Sequence, residues 1–94
     1  MPIVRIEHTV SDFDKWKQTF DRDPADRKGS GVRRYQISRP VNEPNYVMVD
    51  LEFASAGEAE AFLATMQRLW SGAGKAVMHN PRTCIAEVFE VKDI

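Results

Sequence analysis

Tyr46-Val-Met-Val-Asp-Leu-Glu-Phe53, followed closely by Ser55-Ala-Gly-Glu58 and an apolar-striped run to Trp70, is the stretch that decides the fold. Val47, Val49, Leu51 and Phe53 face one way and Tyr46, Met48, Asp50 and Glu52 the other, the period-two pattern of a strand buried on one side. Ser55 with Glu58 forms a capping box, because the serine oxygen can accept a first-turn N–H that the helix itself leaves unpaired. Behind it Ala59, Phe62, Leu63, Met66, Leu69 and Trp70 recur at helical spacing and make one apolar stripe. Gly72 and Gly74 are read as the end of that helix. A strand with one apolar face, followed at once by a helix with one apolar stripe, is half of a two-layer unit.

The other half lies upstream. Residues 3 to 10 alternate, with Val4, Ile6, His8 and Val10 on one face and Ile3, Arg5, Glu7 and Thr9 on the other, so a histidine shares the apolar side. Ser11 with Asp14 reads as an N-cap box that starts a helix at Ser11, on which Phe13, Trp16 and Phe20 fall on one stripe. Asp23-Pro24 stops the pattern, and the polar run from Ala25 to Gly31 is a loop with room for one helical turn. Val32 to Arg39 is a second strand, with Tyr35 and Ile37 on one face and Arg33, Arg34 and Arg39 spread over both, as suits a sheet edge. Pro40 to Asn45 turns the chain into the strand at Tyr46. A connector from Lys75 to Arg82 carries His79 and Pro81, and Thr83 to Val91 makes the last strand, with Cys84, Ala86 and Val88 alternating with Ile85, Phe89 and Val91.

The order is βαββαβ, and strand, capping box and aromatic-bearing helix occur twice, at 3–22 and 46–70, as in a split-βαβ duplication. The fold class expected is α+β and ferredoxin-like: a four-stranded antiparallel sheet with two helices on one face, residues 1–94 forming a single domain. Two helices cover only one face of such a sheet. The other face, with Ile3, Tyr46, Met48 and one alternation of the last strand, is too apolar to stand open to water and is expected to meet a copy of itself in a homodimer.

Ninety-four residues can bury roughly two-thirds of the unfolded chain's surface, enough for a core without disulfides or metal. The net charge of −1 gives no global attraction to nucleic acid or anionic lipid, and although residues 1–45 carry 9 basic and 7 acidic side chains against 4 and 7 afterwards, neither half is a basic arm. Cys84 stands alone, which excludes an internal disulfide and a Cys-x-x-C pair, and it is read as a small buried apolar residue of the last strand. No apolar run has the length of a signal peptide or a membrane span, so a soluble cytoplasmic protein is expected.

The βαββαβ order is shared with RNA-recognition domains, but Asp50 and Glu52 on the open face of the third strand would repel phosphate, and no nucleic-acid partner is expected. There is no Gly-rich anion loop after the first strand, and His8 and His79 alone lack a third ligand for a metal. His8 is the catalytic candidate: an imidazole at a strand end, on the apolar side and near a helix start, can act as base, donor or ligand contact. The bland alternative is a core-edge histidine bonded to a backbone carbonyl. Trp70 and His79 can meet where the second helix ends and the last strand begins, and the Tyr35 hydroxyl can point into the same cavity. Phe13, Trp16, Phe20, Phe62 and Trp70 read as core, and as the wall of an apolar pocket if the helices stand slightly off the sheet. Candidate ligand-binding residues are therefore Trp16, Tyr35, Trp70 and His79, with no metal and no cofactor. A neutral imidazole in such a pocket suits a hydroxyl, carbonyl or phenol, so the expected ligand is small and apolar or aromatic.

Two resemblances follow from these residues. Met1-Pro2-Ile3-Val4 resembles the opening of tautomerases, where an exposed Pro amine is the base. Over most of the chain, His8-Thr-Val-Ser-Asp-Phe-Asp-Lys-Trp-Lys-Gln-Thr-Phe-Asp21, Gly31-Val-Arg-Arg-Tyr35, Val49-Asp-Leu-Glu-Phe53 and Ala59-Glu-Ala-Phe-Leu63 resemble the dimeric α+β barrel superfamily, in particular its antibiotic-biosynthesis-monooxygenase-like and cyclase-like small bacterial proteins. That resemblance implies a cofactor-independent monooxygenase or cyclase-like protein acting on aromatic or polyketide-like substrates, with Trp70 and Tyr35 as substrate contacts. Heme-degrading members imply an alternative, a heme-binding or heme-degrading protein: Trp70 and His79 fit their spacing, while His8 replaces their first-strand amide. A non-catalytic dimerisation module is the third.

Overall fold

A computed structural model describes residues 1–23, 26–71 and 79–94, with backbone alone at 79 and 80. The elements are β1 (Pro2–Thr9), α1 (Phe13–Asp21), β2 (Val32–Ser38), β3 (Tyr46–Phe53), α2 (Ala56–Trp70) and β4 (His79–Glu87). They form an antiparallel four-stranded sheet in the order β2-β3-β1-β4, the ferredoxin-like α+β arrangement expected from the alternating pattern. The glycines read as the end of the second helix, Gly72 and Gly74, and the stop at Pro24 lie outside the described residues.

The core sits where the two central strands meet the helices. Val4 and Ile6 of β1 and Val47, Val49, Leu51 and Phe53 of β3 are buried, and their register, Val4 opposite Leu51 and Ile6 opposite Val49, puts them on one face. Trp16 from α1 and Ala59 and Phe62 from α2 close over that face, with the Phe53 and Phe62 rings 5.3 Å apart between centroids. Tyr35 and Ile37 of β2 lie opposite Leu51 and Val49 and so share the helix side. Arg5, Glu7, Met48, Asp50, Glu52, Arg34, Arg82, Cys84 and Ala86 occupy the other face by the same registers.

Several local expectations need correction. The cap of α1 is Asp12, whose side chain accepts the Lys15 N–H at 3.2 Å, and the helix begins at Phe13 and not at Ser11. Both residues are good N-caps, and the extended backbone of Asp12 (φ −152°) shows which one the chain uses. Ser55 caps α2 as expected, accepting the Glu58 N–H at 3.2 Å. The last strand runs from His79 to Glu87 and not over Thr83–Val91. Pro81 is accommodated because β4 is an edge strand and its pairing with β1 shifts register there, between Glu7 opposite Arg82 and Thr9 opposite His79. It ends level with the start of β1, where the Met1 carbonyl accepts the Val88 N–H at 3.4 Å. Cys84 is exposed in the protomer and not buried, since it sits opposite Arg5 on the uncovered face. Pro2, the residue behind the tautomerase resemblance, is buried within β1 opposite Glu87 rather than presented to a substrate.

Gly31 shows why a glycine is needed where the loop enters β2. Its φ of +99° lies where side chains are strained, and an added Cβ would come 2.5 Å from the Glu58 carboxylate at the start of α2. Asp12→Ala is expected to cost about 1 kcal/mol in urea unfolding through loss of the α1 cap, and Leu51→Ala about 3 kcal/mol through a cavity beneath both helices. Equal small effects of the two would mean that β3 does not carry the core.

Candidate functional site

Among the described residues His8 is the buried polar member of the core, 2% exposed, on the helix side of β1. Its alternation with Val4 and Ile6 puts it there, and α1, beginning a short turn later, brings Trp16 over it with ring centroids 5.7 Å apart. Its Nδ1 lies 3.3 Å from the Thr9 carbonyl oxygen, so with the proton on Nδ1 the ring donates to backbone and Nε2 carries the lone pair. From His8 a row of rings runs outward: Trp16 to Phe20 at 5.2 Å, then Phe20 edge-on to Tyr35 at 5.1 Å, with Phe13 5.8 Å to the side of Trp16. These spacings are those of favourable tilted and edge-to-face aromatic pairs. The row starts at a buried imidazole and ends at Tyr35, which is 43% exposed on the edge strand.

Two arginines flank the row. The Arg27 guanidinium stacks 3.9 Å above the Phe20 ring and 5.1 Å from that of Tyr35, while it donates to the Phe20 carbonyl at 2.7 Å and faces the Asp23 carboxylate at 3.5 Å. Arg39 stacks 4.1 Å above Phe13. Such cation–π contacts hold a planar cation over an aromatic face.

The structure thus brings together three of the residues singled out from sequence, His8, Trp16 and Tyr35, linked through Phe20. Trp70, the last residue of α2, is half-buried against the core, apart from this ring row. The His79 side chain lies outside the described residues, and its backbone pairs with Thr9, next to His8. Arg27 and Arg39 are additions to the residues that the sequence singles out, and Phe20, read there as core or pocket wall, joins them in the row. Phe20 is legible as one of the α1 stripe, whereas the arginines reach the row from loops, where spacing carries no signal.

The uncovered face is polar in an ordered way. Arg5 forms a two-pronged pair with Asp50 at 2.8 and 3.0 Å, Arg34 meets Glu52 at 3.2 Å, and the Tyr46 hydroxyl donates to Glu7 at 2.7 Å. Its partner Asp50 holds Arg5 still more firmly protonated than usual. The bond to Glu7 raises the Tyr46 phenol above its ordinary value, desolvation and the Glu7 charge acting in the same sense and Arg82 opposing them. Among the described residues no group of three or more His, Cys, Asp or Glu is placed to hold a metal, and no helix is long and apolar enough to cross a membrane.

No family model matches the chain, and no curated protein matches it. Solved structures do. A Deinococcus radiodurans protein proposed to be an antibiotic biosynthesis monooxygenase superposes with a TM-score of 0.75 at 16% identity, covering 100% of this chain and 98% of its own. SnoaB, a cofactor-independent oxygenase from Streptomyces nogalater, solved in a mutant form, gives 0.78 at 15% identity over 96% of this chain and 94% of its own. A dimeric ferredoxin-like protein from an uncultured marine organism gives 0.72 at 10% identity over 100% of both chains. The structural neighbours are thus antibiotic-biosynthesis-monooxygenase-like proteins of ferredoxin fold, and the resemblance read from the residues holds at the level of fold.

The Tyr46–Glu7 bond has a titration signature. Because the folded phenol is raised, the stability it contributes is fully present below the unfolded value of about 10 and is lost as pH rises through the folded one. Tyrosinate absorbance should show a transition above the ordinary range that disappears in Tyr46→Phe and moves down in Glu7→Gln. Unchanged titration in Glu7→Gln would show that the bond does not form in solution.

Proposed function

We propose that residues 1–94 act as one domain in a homodimer joined through the open sheet face, and that each protomer binds a small aromatic or polyketide-like ligand on the helix side of its sheet. The carrying observation is the row from buried His8 through Trp16 and Phe20 to half-exposed Tyr35. A flat ligand gains dispersion and edge-to-face contacts along such a row, and an imidazole at its inner end supplies the polar group that orients it. The His8 imidazole is the polar group that a phenol or enol oxygen would meet at the inner end of the row. Trp70 and His79, at the end of α2 and the start of β4, are the remaining ligand contacts of this reading. No cofactor is called on, in line with the named oxygenase among the structural neighbours.

The open face supports self-association better than nucleic-acid binding. Ile3 and Met48 are half-buried there, and Asp50 and Glu52 place negative charge where phosphate would lie. A second reading, a non-catalytic dimerisation module, draws on the burial of His8 and its contact with the Thr9 carbonyl, which would satisfy a purely structural histidine.

Quenching of the intrinsic tryptophan emission by a panel of phenolic and polycyclic aromatic ligands separates these readings. The parent is expected to bind members of the panel, His8→Asn and His8→Ala to lose about tenfold or more in affinity, consistent with one lost hydrogen bond to a buried group, and all three to stay folded by circular dichroism. Undiminished binding in both variants would remove His8 from the site. Binding of heme instead, dependent on His79, would move the protein to the heme-binding class, and binding of neither would leave the dimerisation module.

A further inference from the structure

The two arginines that stack on the ring row differ in what else they touch. Arg27 is already engaged: its guanidinium donates to the Phe20 carbonyl at 2.7 Å and faces the Asp23 carboxylate at 3.5 Å, so its charge is met within the protomer. Arg39 stacks 4.1 Å above the Phe13 ring and donates to the Pro44 carbonyl at 3.4 Å, the long end of hydrogen-bond distance. Among the described residues no carboxylate forms an ion pair with it, and Asp12, the neighbour of Phe13, is occupied as the cap of α1. A guanidinium holds five N–H donors in its plane, so lying face-on against a ring leaves those edges for an in-plane acceptor.

The register of the sheet ties this cation to His8. Ser38 pairs with Met48 at the end of β2, so Arg39 stands level with Val47, and Val47 pairs with His8. Ile37 lies opposite Val49 on the helix side, and Arg39, two residues on, takes the same side, as its stacking on Phe13 of α1 requires. His8, Val47 and Arg39 thus make one rung across the sheet, with about 10 Å, two strand spacings, between the backbones that carry the imidazole and the guanidinium. Phe13 and Trp16 belong to the same end: Trp16 is 5.7 Å from the His8 ring and 5.8 Å from Phe13, on which Arg39 lies. The rung runs from a buried imidazole to an exposed guanidinium, past aromatic rings.

We infer that Arg39 is a specificity-determining residue that selects flat aromatic ligands carrying a carboxylate. The inference rests on the ring-row site proposed above and adds the chemistry of its ligand: a bicyclic or tricyclic acid with a hydroxyl or carbonyl toward His8 and its carboxylate on Arg39. A planar two-oxygen anion matches the parallel N–H bonds of a guanidinium, and at the exposed rim it keeps part of its hydration. Arg27 is the poorer partner, because Asp23 would compete with the ligand for it.

Calorimetric titration of the full chain with hydroxynaphthoate and with naphthol, the same rings and hydroxyl without the acid, tests this. The parent is expected to bind the acid about tenfold or more tightly than naphthol, an advantage that added salt reduces. Arg39→Gln should bring the acid down to the level of naphthol and leave naphthol binding unchanged. Arg33→Gln, the same loss of charge at an exposed position of β2, should keep the preference. Both arginines are exposed, so both variants should keep the parent's circular dichroism spectrum. Equal affinity of the parent for acid and naphthol, a preference that survives Arg39→Gln, or one lost equally in Arg33→Gln overturns the role of Arg39 while leaving the ring-row site. A parent that binds neither compound overturns both.

Discussion

The alternation of β3 is the constraint on which the rest of the molecule depends. This strand lies between β2 and β1, and four of its side chains, Val47, Val49, Leu51 and Phe53, are essentially removed from water on one face. A slip of one residue in its pairing would turn all four outward and bring Met48, Asp50 and Glu52 inward, so register, helix side and open side are chosen together. Trp16 and Phe62, from different helices, are buried against the same surface. His8 is where it is because β1 is locked to β3, with His8 opposite Val47.

The same alternation creates the open face, where the charged groups are paired within the protomer. Asp50 and Glu52 are each matched across a strand by an arginine, and Glu7 by a tyrosine hydroxyl. Exposed pairs of this kind add little stability by themselves. Their consequence is that the acidic groups are already hydrogen-bonded within the protomer, so a second sheet need not desolvate lone charges. Between them lie Ile3, Met48, Cys84 and Ala86, small or apolar groups on which another sheet can rest.

What is legible in the sequence is whatever depends on local period. β3 can be read to the residue, α2 with its Ser55 cap nearly so, and the ferredoxin-like order follows from the repeated strand and capped helix. What escapes is set by partners distant in the chain. Pro81 looks like a boundary because its tolerance depends on β4 being an edge. Cys84 groups correctly with Ala86, but that this alternation faces the uncovered side is decided by pairing with Arg5, not by residue type. Ser11 and Asp12 are equivalent caps until the backbone selects one. In the site, the pairing of His8 with Trp16 rather than Trp70 depends on how α1 crosses the sheet, and the stacking of Arg27 and Arg39 on rings depends on loop paths with no period at all.

The claim that ties the account together is that the uncovered face of the sheet is covered by a second copy of the chain. Cys84, the lone thiol, lies on that face and is open to solvent in the protomer, so it reports directly on coverage. The rate of its reaction with a soluble disulfide reagent, measured across protein concentrations from nanomolar to high micromolar, is the most direct measurement. The account predicts fast labelling in dilute protein and strong protection as concentration rises; labelling equally fast at every concentration would contradict it.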